Sequence, residues 1–261
     1  MATSPPSPPR SAADSGTVNR VLRILSAFGT KNQWSLNELA RSLALPRASA
    51  HRLLNLCKPL GYVEQTADGL YTPGVELYRV AGQLSAQMPI NQLAAPLLES
   101  IRDQTDETTM LVLLARQDLK MFFSQVASPR HPLRYSIECN RLQPLAWGCA
   151  GRSLLAFLNP EEIDEVLARA EASPLDGRAL DVQELREALA QIRSQGHAVS
   201  FSERAADMHG VAVPFFDNTG AVRGNVMLTI PDFRFDRAKL ESFVAQLRHA
   251  ATELTHRLGW A

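Results

Sequence analysis

The stretch from Trp34 to Tyr71 constrains the fold of this 261-residue chain more than any other, because it holds two short amphipathic repeats around a tight turn. Ser35 and Glu38 have the spacing of a capping box, in which each side chain satisfies a free amide at a helix start. Apolar residues then recur at helical spacing, at Leu36, Leu39, Ala40 and Leu43. The pattern therefore predicts a short helix capped by Ser35.

The second repeat follows Ala44-Leu45-Pro46 and has its apolar residues at Ala50, Leu53, Leu54 and Cys57. If that stripe is buried, a helical wheel turns four other residues outward: Ala48, His51, Arg52 and Asn55. The segments around Gly61 and Gly69 predict a hairpin behind the two helices. A helix with this outer face, preceded by a turn and a supporting helix, has the build of a recognition helix for the DNA major groove.

The charge distribution supports this interpretation. The whole chain has a formal net charge of +0, but the segment from Thr17 to Leu60 contains seven basic residues and one acidic residue, Glu38. The remainder of the chain is therefore net acidic. A basic lobe attached to an acidic one suits DNA binding by the first and dimerisation or ligand sensing by the second.

We predict DNA contacts from eight residues: Arg20, Arg47, Ala48, Ser49, His51, Arg52, Asn55 and Lys58. Arg52 and His51 are the first candidates for base contacts. Arg20, Arg47 and Lys58 are predicted to contact phosphates, which gives affinity without sequence information. For Arg47, binding to a guanine edge is an alternative. Ordinary solvation at the surface is the alternative for all of them.

Several classes of protein are disfavoured. The three cysteines are scattered and have no C-x-x-C spacing, which argues against a disulfide framework and a zinc site. The histidines form no H-x-x-x-H pair in the region after the predicted hairpin, so we expect neither a metal nor a cofactor. Apolar runs long enough for a membrane span and a hydrophobic signal core are both lacking, which predicts a soluble cytoplasmic protein.

The predicted organisation is a disordered tail at 1–16, a DNA-binding unit at 17–74, a linker helix over 75–89 and an α+β domain at 90–261. The first helix begins at Thr17, with an apolar face of Val18, Val21, Leu22, Leu25 and Phe28. The linker helix either pairs with its twin in a dimer or packs on its own domain. The tail is rich in Pro, Ser and Ala and has little to bury.

Beyond the linker, the pattern predicts an antiparallel sheet layered with helices. Helices are predicted at 90–104, 151–158, 161–172, 182–195 and 236–258. Strands are predicted at 109–115, 120–126, 133–137, 210–216 and 223–230. The turn Asp217-Asn-Thr-Gly220 is a strong hairpin signal between the last two strands.

At this point the sequence resembles the IclR family of bacterial transcriptional regulators. The resemblance rests on an ordered set of segments: Arg20-Val-Leu-Arg-Ile-Leu, Ser35-Leu-Asn-Glu-Leu-Ala, Leu45-Pro-Arg-Ala-Ser-Ala-His-Arg-Leu-Leu, Gly61-Tyr-Val, Tyr71-Thr-Pro-Gly74, Ala150-Gly-Arg-Ser-Leu-Leu-Ala156, Gly196-His-Ala-Val and Val211-Ala-Val-Pro-Phe-Phe-Asp217. The resemblance implies a winged helix-turn-helix, a linker helix and a GAF-like domain that binds a small organic acid. It also implies a homodimer or a dimer of dimers that binds double-stranded operator DNA.

The resemblance also implies an effector pocket. Where small-oxoacid sensors of the family place backbone amides, this chain has Cys149, Ala150 and Gly151. The family's pocket aspartate falls at Ser200, its cysteine at Gly210, and its two sheet serines at Met227 and Thr229. We therefore expect Gly210 and Met227 to leave apolar room for an acid larger than glyoxylate or pyruvate, either aromatic or branched. Amides near Ala150, together with Thr229, would hold the carboxylate.

The competing hypothesis is an enzyme or carrier that uses the C-terminal domain, with the helix-turn-helix as an interaction module. The string Trp147-Gly-Cys149-Ala-Gly151 is similar to a nucleophile elbow. That motif needs a glycine two residues before the nucleophile, where this chain has Trp147. An active thiol also needs an activating environment, and the sequence indicates none. We therefore predict no catalytic residue.

Overall fold

The computed structural model describes residues 16–129, 131 and 137–258. They form two compact units, divided between Ala86 and Gln87. The predicted tail at 1–16 and the predicted strand at 133–137 lie outside the described residues, apart from residues 16 and 137. Each unit is built separately around its own core.

The first unit contains four helices and a two-stranded hairpin among its described residues: α1 (Thr17–Ala27), α2 (Leu36–Ser42), α3 (Arg47–Cys57), β1 (Val63–Gln65), β2 (Tyr71–Pro73) and α4 (Val75–Ala86). The stripe predicted for the recognition helix is buried as a set: Ala50, Leu53, Leu54 and Cys57. The two strands pair antiparallel, and Trp34 adds a bridge to Tyr71. The result is a helix-turn-helix with a short wing.

The capping box at α2 is confirmed. The Ser35 hydroxyl accepts from the Glu38 amide at 3.3 Å, and the Glu38 carboxylate accepts from the Ser35 amide at 3.0 Å. These bonds, the one to the Ser35 backbone first, lower the pKa of Glu38 from 4.5 to about 2. The cap therefore fixes where α2 begins, and with it the turn that leads into α3.

The predicted apolar face of α1 is partly wrong. Val18 and Leu22 are 73% and 59% exposed, whereas Ile24 and Ala27 are buried. The guanidinium of Arg23 donates to the Leu43 carbonyl at 2.9 Å. This bond ties α1 to the residue that ends α2, while part of the apolar surface of α1 stays exposed.

The second unit begins with α5 (Pro89–Thr105) and contains a six-stranded antiparallel sheet. Its strands are β3 (Thr108–Ala115), β4 (Lys120–Ala127), β5 (Gln143–Pro144), β6 (Ala198–Phe201), β7 (Met208–Phe216) and β8 (Val222–Pro231). Their order is β5-β4-β3-β8-β7-β6. The other helices are α6 (Gly148–Leu155), α7 (Pro160–Ala168), α8 (Val182–Gln195) and α9 (Leu240–Leu258).

Helices cover the sheet on both sides. The face that carries Met110 and Val112 packs against α6, α7 and α8. The face that carries Leu111 and Leu113 packs against α5 and α9. This burial on both faces explains why β7 is almost continuously apolar. The predicted α+β architecture, a winged helix-turn-helix followed by an antiparallel sheet layered with helices, is confirmed.

Four predicted details of the second unit need correction. Helix α6 begins at Gly148 instead of residue 151, and α7 ends at Ala168. The last helix begins at Leu240, after two 3-10 turns, because the Asp236 side chain caps the second of these turns. Strand β6 was not predicted, since its four residues show only a short alternation. The start at Gly148 matters most, because it places the first turn of α6 beside the sheet.

Within the described part of the chain, no helix is both long and apolar enough to cross a membrane.

We expect Ser35→Ala to lower the free energy of unfolding of the first unit by about 1 kcal/mol, as loss of a helix cap does. The same change should raise the pKa of Glu38 only part of the way toward 4.5, because the Ser35 backbone amide, the largest cause of the lowered pKa, remains; carboxyl NMR shifts can measure this. Since the folded pKa is depressed, the contribution of Glu38 is complete above pH 4.5 and is lost as the pH falls toward 2. Ser42→Ala, at the other end of α2, is the control and should leave that pKa unchanged.

Candidate nucleic-acid interface and ligand cavity

The outer surface of α3 carries most of the residues predicted to contact DNA. Exposed there are Arg47, Ala48, His51, Arg52 and Asn55, and Ser49 is half-buried. Lys58, just after the helix, is also exposed, whereas Arg20 lies on α1 and is half-buried. The structure therefore places six of the eight predicted residues on α3, one at its end and one on another helix.

Local bonds order part of this surface. The His51 ring and the Asn55 amide lie 3.3 Å apart, and Lys58 donates to the Gln65 side chain of β1 at 3.0 Å. Within the described residues, neither Arg47 nor Arg52 pairs with a carboxylate. Cations that lack a partner within the protein are available to phosphates or base edges.

The second unit contains a cavity of about 270 Å³ between the sheet and the first turn of α6. Six of the seven residues proposed for the effector pocket line it: Cys149, Ala150, Ser200, Gly210, Met227 and Thr229. Gly151 does not. It packs against the backbone of Leu145, where a Cβ would lie 2.3 Å from the carbonyl oxygen. Glycine at this position allows α6 to pack closely against that backbone. The family resemblance alone did not distinguish this packing role from contact with a ligand.

Strand register brings the sheet residues of the cavity together. Gly210 pairs with Ser200 on one side and with Thr229 on the other, and Met227 pairs with Met110. Alternate residues of a strand share a face, so Met227 and Thr229 both point toward α6. The part of the cavity wall formed by Met110, Gly210, Met227 and Thr229 is therefore mainly apolar, with the Thr229 hydroxyl among its few polar groups.

The expected apolar room above Gly210 is already occupied. A Cβ at Gly210 would lie 2.5 Å from Sγ of Cys149 and 3.2 Å from Oγ of Ser200. The cysteine of α6 thus fills the space that the missing side chain leaves. The part of the expectation that rested on Gly210 is wrong, and the free volume lies toward Met110, Phe123 and Met227 instead.

Cys149 has the properties of a core thiol. It is 3% exposed, and burial raises its pKa to about 11, despite a hydrogen bond with Ser200 that acts in the opposite direction. A nucleophilic cysteine needs a lowered pKa and access to solvent. This thiol therefore stays protonated and inert at neutral pH.

Charged residues at the cavity were missed in the sequence. Glu203 accepts from the Gly148 amide at 3.1 Å and pairs with Arg152 at 3.0 Å. Arg204 donates to the Gln143 side chain and to the carbonyls of Pro144 and Trp147. These residues follow the unpredicted strand β6, in a segment without a motif, so no sequence signal pointed to them.

Burial lowers the pKa of the Arg204 guanidinium from its ordinary value. Its aliphatic stem lies against Gly148, which has a φ of +77°, and a Cβ there would be 2.7 Å from Cδ of Arg204. Glycine at this position thus permits both the turn into α6 and the close approach of the arginine.

Within the described ranges, no group of three or more His, Cys, Asp or Glu side chains could hold a metal ion.

Comparison with known sequences and structures places these two sites in a family context. The sequence model of the IclR helix-turn-helix domain matches residues 17–67. The model of the bacterial transcriptional regulator IclR C-terminal domain matches residues 83–256. Together they include α3 and every residue that lines the cavity.

Individual proteins are similar over almost the whole chain. The HTH-type transcriptional regulator KdgR of Escherichia coli is 26% identical over 94% of this chain and 93% of its own. A solved IclR transcriptional regulator from Silicibacter is 28% identical, with a TM-score of 0.83 and coverage of 94% and 96%. A solved IclR homologue from Microbacterium hydrocarbonoxydans, complexed with 4-hydroxybenzoate, is 24% identical, with a TM-score of 0.73 and coverage of 94% and 100%.

Proposed function

The chain belongs to the IclR family of bacterial transcriptional regulators, and from this premise we propose that α3 binds operator DNA under the control of a small organic acid held in the cavity. The protein is a DNA-binding regulator rather than an enzyme. The raised pKa of Cys149 agrees, because it removes the thiol nucleophile that the enzyme hypothesis required. A cytoplasmic location is part of the proposal.

The observation that carries the DNA assignment is the exposed outer face of α3. Its buried stripe orients Arg52 and His51 away from the core, and Arg52 has no carboxylate partner within the described residues. We assign base contacts to Ala48, Ser49, His51, Arg52 and Asn55. Phosphate contacts are assigned to Arg47 and Lys58, which carry positive charges at the two ends of α3, and to Arg20 of α1, whose assignment rests on its charge.

The acid assignment is supported by the cavity and by a relative. The Microbacterium homologue is complexed with 4-hydroxybenzoate, an aromatic acid. An apolar cavity of about 150 Å³ is enough to bind benzene, and this one measures about 270 Å³. Met110, Phe123 and Met227 provide apolar contact, and Thr229 provides a hydroxyl. We therefore propose an aromatic or branched carboxylic acid as the effector.

Dimerisation is supported by the surface of the first unit. Helix α4 has no buried residue, and its side chains Val75, Tyr78 and Leu84 are 72%, 58% and 64% exposed. A second copy that covered this helix would remove apolar area from water. The boundary after Ala86 falls inside the proposed linker at 75–89, between the DNA-binding unit at 17–74 and the effector domain at 90–261.

The DNA assignment predicts two distinct effects. Arg52→Ala should weaken binding to the natural operator by about 1–3 kcal/mol and relax its specificity, as loss of a base contact does. Lys58→Ala should weaken binding to all DNA sequences alike and make the affinity less dependent on salt concentration. Mobility shifts on the DNA upstream of the neighbouring operon, at several salt concentrations, measure both effects.

Arg169→Ala, an exposed arginine of the second unit that pairs with Glu165, is the matched control and should bind like the wild type. Unchanged operator affinity in both the Arg52 and the Lys58 variant would remove the assignment of α3 as the recognition helix.

The assembly proposal predicts a dimer or a dimer of dimers by light scattering at micromolar concentration. A footprint over two half-sites, one helical turn or a multiple of it apart, should accompany the dimer. Tyr78→Glu should weaken the assembly, because it places a charge on the exposed face of α4. A monomer whose footprint spans a single half-site would contradict the proposal.

The effector proposal predicts that an aromatic or branched monocarboxylate raises the melting temperature and changes operator affinity, whereas pyruvate and glyoxylate act weakly. Each Å² of apolar surface removed from water contributes roughly 25 cal/mol, so a buried ring outweighs one hydroxyl contact. Met227→Ser should shift the preference toward small polar acids. Tighter calorimetric binding of pyruvate than of every aromatic acid would show that the effector class is wrong.

A further inference from the structure

We propose that Arg204 is the charged anchor of the effector, so that the cavity selects acids with a single carboxylate over their neutral amides and over dicarboxylates. This inference rests on the proposed function and adds the residue and the charge that determine which acid binds. Arg204 is not part of any motif in the sequence. We call the region formed by the first turn of α6 and the loop after β6 the corner of the cavity. The role of Arg204 follows from a comparison with Arg152, the second arginine of this corner.

The two arginines differ in their partners. Arg152 forms an ion pair with Glu203 at 3.0 Å, and their side chains are 13% and 16% exposed. The partners of Arg204 are all neutral: the Gln143 side chain and the carbonyls of Pro144 and Trp147. Within the described residues, Arg204 has no carboxylate partner. The corner therefore contains one compensated cation and one uncompensated cation.

An uncompensated cation at the wall of a cavity favours an anion inside it. A partly desolvated charge is costly unless an opposite charge accompanies it. A guanidinium has five N–H donors, and the three bonds of Arg204 involve only its two terminal nitrogens. Its Nε–H is among the donors still available to a carboxylate.

Other donors converge on the same corner. The stem of Arg204 lies over Gly148, at the first turn of α6. The amide of Cys149, the next residue, donates to no oxygen within the described residues, since Glu203 takes the Gly148 amide alone, whereas the Ala150 amide bonds with the Cys149 sulfur. From the sheet, Thr229 is 2% exposed and lines the cavity, and its hydroxyl has no partner within the described residues. A carboxylate here would have a cation, the Cys149 amide and a hydroxyl around it.

The remaining charges disfavour a second carboxylate. Glu203 is already neutralised by Arg152, and Glu138, also at the cavity, pairs with the exposed Arg141. The other basic residue that lines the cavity, His209, already contacts Asp232 through Nε2, and no further arginine or lysine lines it in the described part of the chain. A dicarboxylate would therefore place its second charge among apolar side chains or beside a glutamate, at a desolvation cost that nothing offsets. A ligand with one carboxylate and an apolar body fits the arrangement.

The decisive experiment combines one variant with matched ligands. We would titrate the full-length protein by calorimetry with benzoate, 4-hydroxybenzoate and isovalerate, with the amide of each, and with terephthalate. In the wild type, acids should bind more tightly than amides and than terephthalate. Arg204→Met, which keeps the apolar stem, should weaken acid binding about 10- to 100-fold, the loss expected for a hydrogen bond to a charged group. Amide binding should stay nearly constant.

Two controls separate charge from structure. Arg169→Met removes an exposed arginine of the same unit and should bind acids like the wild type. Arg204→Lys keeps the charge but loses the planar fork, so it should retain part of the affinity. The melting temperature and operator binding of ligand-free Arg204→Met, compared with those of the wild type, show whether it remains folded.

Three outcomes would overturn the inference: amides that bind as tightly as acids, acid affinity within about twofold of wild type in a folded Arg204→Met protein, or no acid of the panel binding the wild type. In each case operator binding by the wild type is measured in parallel. Failure of the anchor is thereby distinguished from failure of the proposed regulator, which would appear as absent operator binding.

Discussion

The attachment of α6 to the sheet is the constraint on which the C-terminal unit depends. Asn225 of β8, which is fully buried, donates to the Ala150 carbonyl at 2.8 Å and to the Ser153 hydroxyl at 2.9 Å. At the other end of the contact, Glu203 holds the Gly148 amide and the Arg152 guanidinium together. These bonds keep the first turn of α6 open toward the cavity instead of packed flat on the strands.

The DNA-binding unit depends on a different kind of constraint, which is almost entirely local. The capping box at Ser35 and the apolar stripes of α2 and α3 are short-range patterns, and they determine which side chains of α3 face outward. Local contacts order early and leave little choice of register. For this reason the winged helix-turn-helix and the exposed face of α3 could be predicted from the sequence. Which side of α1 is buried could not be predicted in full, because it depends on contacts with distant residues, such as the bond from Arg23 to Leu43, twenty residues away.

In the second unit, the sequence predicted the elements better than their boundaries. Long periodic stretches such as α8 and β8 were found, but α6 has no side-chain cap at Trp147 to mark its start. Six of the residues predicted for the effector pocket line one cavity, and the family resemblance is what carried their positions. The free volume of the cavity was predicted less well, because the side chain of Cys149, sixty-one positions away in the sequence, fills the space beside Gly210. Such complementarity depends on strand register, which single-sequence patterns do not determine.

Under the proposed function, the positions of the cavity residues have a consequence for ligand specificity. The motif at α6 supplies backbone amides, and amides bind any carboxylate without distinguishing one acid from another. Discrimination must therefore come from side chains outside that motif, namely Met227 on the sheet and Arg204 in the loop after β6. A loop side chain can change without disturbing the register of the sheet, whereas a change at Gly210 would displace Cys149. Under the proposed function, the same architecture can thus retain its DNA-binding unit and the amides of α6 while the segment between β6 and β7 selects the acid.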